Sequence, residues 1–154
     1  LLSNLGFTAN NENITLVTNI KTSYTGTYWT IILVQNTSSQ NSRSISAHNW
    51  TYQLNYTRNG VSDNFLNSWV SVDGNKTKRV VGTFDGSTYK IYCNGALMAS
   101  SSYTAANGSA WWIKRTKVYS DSITNWTQTE PIIYNSAWSA EQVQEDYYSN
   151  FIPN

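Results

Sequence analysis

FDGSTYKIYCNGALMASSS, residues 84–102, holds two turn signals with one short run of aromatic, β-branched and polar residues between them. Asn94-Gly95 is the strongest short hairpin signal a sequence carries, because a type I′ turn needs positive φ at both central positions. Asp85-Gly86 marks a second reversal only a few residues earlier. Together they predict three consecutive antiparallel strands at 78–84, 87–93 and 96–100. Asp85, Asn94 and Gly95 then serve the turns rather than a ligand, and the neighbouring Cys93 reads as a small apolar filler.

Outward from this hairpin the apolar pattern has a period of two rather than 3.6. Further strands are predicted at 14–20, 28–34, 44–48, 51–56, 68–72 and 110–118. The run at 28–34 is continuously apolar at Ile31-Ile32-Leu33-Val34, which predicts a central position in its sheet. Arg58-Asn59-Gly60 and Asp73-Gly74-Asn75 read as turns, and 35–43 as a polar loop. Trp29, Trp69 and Trp138 are expected to point into the core. Only the C-terminus departs from this pattern. Ser139-Ala140-Glu141-Gln142 has capping-box form, and Val143, Tyr147 and Phe151 fall on one face of the turns that follow. Many short strands with turns every eight to twelve residues predict an all-β sandwich closed by one short helix. The 154 residues suffice for a single domain over 1–154. The chain opens on Leu rather than Met, and we expect it to be part of a larger surface or fibre protein.

Charged residues make up 12% of the chain, against about a quarter in an average protein. Aromatics make up 14%, with seven Trp and eleven Tyr. The formal net charge of +1 supplies no long-range field for nucleic acid or an anionic membrane. No run of ~18 apolar residues is present to insert in a bilayer. Two basic clusters, Lys76, Lys78 and Arg79, then Lys114, Arg115 and Lys117, read as solvated strand edges. Cys93 and His48 each stand alone. A single cysteine forms no internal disulfide, and the pair leaves no basis for a Cys- or His-based metal site or a Ser-His-Asp triad within this chain. Sequons at Asn13, Asn36, Asn49, Asn55, Asn75, Asn107 and Asn125 are candidate glycosylation sites, although a chain this rich in Asn, Ser and Thr generates such triplets by composition.

From Lys78 onward the chain resembles the laminin-G-like, pentraxin-like group of the concanavalin-A-like lectin and glucanase superfamily. Val80-Val81-Gly82-Thr83-Phe84-Asp85-Gly86 is similar to the strand and turn before that family's hairpin, and Tyr89-Lys90-Ile91-Tyr92-Cys93-Asn94-Gly95 to the hairpin itself. Ile133-Tyr134-Asn135-Ser136-Ala137-Trp138-Ser139-Ala140-Glu141-Gln142-Val143 resembles the closing strand and short helix. The resemblance implies an antiparallel jelly-roll β-sandwich with its termini close together. It departs from the family pattern where Lys114 and Arg115, rather than a glycine, follow Ile113. No clustered set of Asp and Asn marks the family's calcium site, so calcium stays open as a cofactor without an assignable ligand set, and no other cofactor is expected.

A retaining glycosidase needs two carboxylates ~5 Å apart, a spacing that alternate positions of one strand provide. No predicted strand carries a Glu-x-Asp pair, and the clustered acids, Glu141, Glu145 and Asp146, sit on the C-terminal helix. A glycoside hydrolase is therefore disfavoured, and no catalytic residue is assigned. Aromatic surface is what the chain offers instead. Trp111 and Trp112 are adjacent, so on a strand they face opposite sides and only one can enter a given core. Trp126 lies in a polar run. Indole faces stack on the C–H faces of sugar rings while amide, hydroxyl and amine groups bond the sugar hydroxyls. The candidate ligand-binding residues are Trp112, Trp126, Trp111, Lys114, Tyr103 and Trp50. Aromatics on a sheet also pack on cross-strand neighbours or form protein interfaces. Two functions are thus expected. One is a non-catalytic recognition module for a carbohydrate or glycoprotein receptor on a virion, fibre or cell surface. The other is a capsid-decoration or fibre-assembly domain that oligomerises without sugar affinity.

Overall fold

The computed structural model describes residues 13–22, 29–35, 42–58, 61–72, 76–103, 126–128 and 131–151. In chain order the elements are β1 (Asn13–Thr22), β2 (Trp29–Gln35), β3 (Ser42–His48), β4 (Thr51–Arg58), β5 (Val61–Ser71), β6 (Lys78–Asp85), β7 (Thr88–Cys93), β8 (Ala96–Ser102), β9 (Trp126–Gln128), β10 (Ile132–Tyr134) and α1 (Ala140–Asn150). The strands form two antiparallel sheets. One has the order β10-β1-β6-β7-β8, with β9 also on β1, and the other runs β2-β3-β4-β5. The predicted strand at 110–118 and the turns at 58–60 and 73–75 lie wholly or mostly outside the described residues.

The opening stretch folds as its turns dictate. Asn94 and Gly95 both take positive φ, 51° and 80°, between the paired β7 and β8. The Asn94 side chain also accepts from the Arg79 amide at 2.9 Å, tying the turn to the start of β6. At the other reversal Gly86 has φ 90°, and one Asp85 carboxylate oxygen accepts from the amides of Ser87 (3.0 Å) and Thr88 (2.6 Å). Burial works to raise the Asp85 carboxyl, but these bonds outweigh it and hold the carboxyl below its usual range.

Alternation then makes two cores. The inward faces of β1, β6 and β7 present Leu16, Val80, Phe84 and Ile91 to Ile45, Leu54 and Leu66 of the other sheet. The outward faces of the same strands present Val17, Val81 and Tyr92 to Val143 of α1, with Tyr134 and Trp138 packed alongside. That double burial explains why β6 reads Val80-Val81 rather than as a clean alternation. The capping box forms as predicted: Ser139 Oγ accepts from the Gln142 amide at 3.3 Å, and Gln142 Oε1 accepts from the Ser139 amide at 2.9 Å.

Two expectations about position are corrected. Among the described strands, β2 pairs only with β3 and stands at the edge of its sheet. Its apolar run reflects an irregular register between Thr30 and Ile32, which lets both Ile31 and Ile32 bury fully, rather than a central location. Trp69, expected in the core, is 79% exposed, turned outward where the register of β5 against β4 is irregular. Among the described residues no helix is long and apolar enough to cross a membrane.

Candidate functional site

β3 and β4 are joined by a two-residue turn, with His48 paired to Thr51 and Asn49 and Trp50 at φ 47° and 70°. This is type I′ geometry, in which the second position normally belongs to glycine. A bulky residue there costs about 1–2 kcal/mol. The turn is nevertheless well anchored, since the Trp50 carbonyl accepts from the Val72 amide at 2.6 Å and Thr51 Oγ1 donates to the His48 carbonyl at 3.1 Å. Its consequence is that Trp50, one of the predicted binding residues, projects from the tip with 58% of its surface exposed.

Trp69 stands beside that tip. Thr51 pairs with Ser71 and Gln53 with Asn67, so two steps on β4 are matched by four on β5. The surplus residues form a bulge held by local bonds. Asn67 Oδ1 accepts from the Trp69 amide (2.8 Å), and Ser68 Oγ accepts from the Val70 amide (3.1 Å). Trp69 takes φ 57° within it. Ser68 is buried and Val70 packs on the core, while Trp69 between them is turned out to solvent. Sequence reasoning missed this residue because a strand pattern carries no signal for a bulge unless Gly marks it.

Tyr103 is placed at the opposite end of the sandwich. Its ring is half-buried, 4.8 Å from Tyr56 and 5.8 Å from Tyr89 between centroids. The buried Arg43 guanidinium lies 4.0 Å from the Tyr56 centroid and 5.3 Å from that of Tyr103, so the aromatic groups enclose a cation. The Tyr103 hydroxyl accepts from the Gly86 amide at 2.9 Å. Trp126 begins β9 opposite Thr22, with its side chain outside the described residues, as are Trp111, Trp112 and Lys114 altogether. Of the sequon asparagines, Asn13 and Asn49 are exposed. Asn55 is half-buried and donates to Ser46 Oγ at 2.7 Å. Asn36, Asn75, Asn107 and Asn125 lie outside the described residues.

The basic cluster at 76–79 is not a solvated edge throughout. Arg79 is 5% exposed and meets the equally buried Asp146 of α1. With Asn19, Asn150, Tyr134 and Ile132 this pair lines an open groove of about 440 Å³ between α1 and β1. Its polar groups satisfy one another: Arg79 also donates to Asn19 at 2.8 Å, and Asn150 to Asp146 at 3.1 Å. Among the described residues no three of His, Cys, Asp and Glu converge on one point that could hold a metal. Burial pushes the Cys93 thiol up to about 11, which makes it a poor nucleophile at neutral pH.

Two antiparallel sheets packed face to face, a triple-stranded meander and a closing helix define a lectin-like jelly-roll sandwich. The chain belongs to the Concanavalin A-like lectin/glucanases superfamily, whose laminin-G model matches residues 2–144. No curated protein matches the sequence. Among solved structures, the receptor-binding domain of the botulinum neurotoxin C/D mosaic serotype is similar at TM-score 0.69 and 18% identity, over 97% of this chain and 39% of that one. A heptameric SAP-like pentraxin from Limulus polyphemus gives TM-score 0.67 at 15% identity, over 96% of this chain and 76% of that one. Botulinum neurotoxin type C, described as entering cells through interaction with two ganglioside molecules, gives 0.65 at 18% identity over 90% and 36%. At these identities the likeness is one of fold, and the chain spans well under half the length of the toxin chains.

Proposed function

We propose that this domain is a non-catalytic recognition module that binds carbohydrate, displayed on a virion, fibre or cell surface. The observation that carries the reading is Trp50, an exposed indole held at positive φ on an uncharged hairpin tip. Strained backbone of this kind persists where the exposed group is used, and an indole beside amides and hydroxyls suits the two faces of a pyranose. The superfamily, together with a structural neighbour that interacts with gangliosides, supports the same class of ligand. Trp111, Trp112, Trp126 and Lys114 remain further proposed contacts, with Tyr103 serving the aromatic cluster around Arg43. The test is a glycan array screened with the purified chain, with and without calcium. A reproducible hit that weakens in Trp50→Gly supports the reading. A blank array with the chain running as an oligomer favours the assembly-domain alternative.

A further inference from the structure

We infer that β5 and the β3–β4 turn form a ledge for an extended, uncharged oligosaccharide, bound along Phe65, Trp69 and Trp50 rather than at a single ring. This deepens the carbohydrate reading and rests on it. Alternation on β5 sends Leu66, Ser68 and Val70 inward and leaves Phe65, Trp69 and Ser71 exposed, with Asn67 half-exposed between them. Phe65 is 55% exposed, so three of the large exposed apolar side chains among the described residues stand on β5 and the adjoining β3–β4 turn.

The register gives their spacing. Phe65 lies opposite Asn55, Asn67 opposite Gln53 and Ser71 opposite Thr51, while the Val72 amide bonds to the Trp50 carbonyl. From Asn55 to Thr51, the residue after Trp50, is four residue steps on β4, ~14 Å at the rise of an antiparallel strand. A monosaccharide can cover one of these rings; a linear chain of sugars can reach from the first to the last. Between the rings stand amide and hydroxyl groups, and Asn67 spends its Oδ1 on the Trp69 amide, which leaves its nitrogen to donate outward.

Charge selects the ligand further. Asn49, Trp50, Phe65, Asn67, Trp69 and Ser71 include no ionisable side chain, and apart from the half-buried imidazole of His48 that flanks the turn the ledge offers no Lys or Arg to compensate a carboxylate, sulfate or sialic acid. Pairing with another strand is opposed by the bulge, which interrupts the regular hydrogen-bonding edge of β5. A protein partner would favour a continuous apolar core, whereas here rings alternate with amides.

The experiment is calorimetric titration of the 154-residue chain with neutral linear gluco-, galacto- and manno-oligosaccharides, from monosaccharide to hexasaccharide. Affinity is expected to rise with chain length. Trp69→Gly, which suits the backbone at that position, and Phe65→Ala are each expected to weaken the longest ligand about tenfold or more, with the urea midpoint of Trp69→Gly unchanged or higher. Binding that is independent of length, confined to acidic glycans, or untouched by both substitutions overturns the ledge and leaves carbohydrate recognition elsewhere on the domain standing. No binding to any glycan, together with a dimer in sedimentation that Trp69→Gly dissociates, overturns both and makes the ledge a self-association surface.

Discussion

Arg79 on β6 and Asp146 on α1, 67 residues apart, form a two-pronged ion pair: Nε donates to Oδ2 at 2.6 Å and Nη2 to Oδ1 at 2.7 Å. Both side chains are buried, so the pair joins the helix to the outer face of the sheet in a low-dielectric setting. Asp146→Asn leaves a buried guanidinium without its counter-charge and is expected to destabilise the domain by about 3–5 kcal/mol. Replacing both partners by Leu should recover much of that loss, because the desolvation cost of two ions then disappears. Urea denaturation of Asp146→Asn and of the variant with both partners replaced by Leu tests this. A double variant no more stable than Asp146→Asn would contradict it.

The strain at the β3–β4 turn predicts a stability effect opposite in sign to its effect on binding. Trp50→Gly creates Asn-Gly, the favoured type I′ pair, and is expected to raise stability by about 1 kcal/mol while removing a sugar contact. Thermal melts alongside glycan titration separate the two. A destabilised variant would mean that the indole packs on the sheet instead of projecting from it.

Gly82 on β6 faces Leu54 across the sandwich, and a Cβ added there would overlap the Leu54 side chain. Leu54 is fully buried and has little room to move. Gly82→Ala should therefore cost about 1–3 kcal/mol through overpacking, and Gly82→Ala with Leu54→Ala should cost less than the two single changes summed.

Cys93 sets an alkaline limit on stability. Burial, opposed only weakly by Lys78, raises its thiol from 9.0 to about 11. The unfolded chain thus loses this proton first as pH rises, so stability is unaffected below about pH 9 and declines between 9 and 11. Burial raises the Tyr89 and Tyr92 phenols as well, in the same direction. Cys93→Ala should flatten that part of the pH–stability curve. The native thiol should resist iodoacetamide at pH 8 and react once the chain is unfolded in urea.

What was legible in the sequence was local. Asn94-Gly95, Asp85-Gly86 and the Ser139-to-Gln142 capping box each act over a few residues, so their chemistry is the same in any context, and from them the meander and the closing helix follow. Period-two alternation likewise marked the strands and hence the sandwich. Position within the fold was not local. Arg79 looked like part of a solvated basic edge because its partner is on a helix far along the chain, and Trp69 looked like core because the bulge that expels it depends on how β5 registers against β4. Trp50 was named in the sequence only as one more aromatic candidate, and its left-handed backbone and its place beside Trp69 arise only once the sheet pairs. Turn residues carry their own conformational preferences; burial and exposure belong to the register and to the surfaces that the second sheet and α1 bring against each strand.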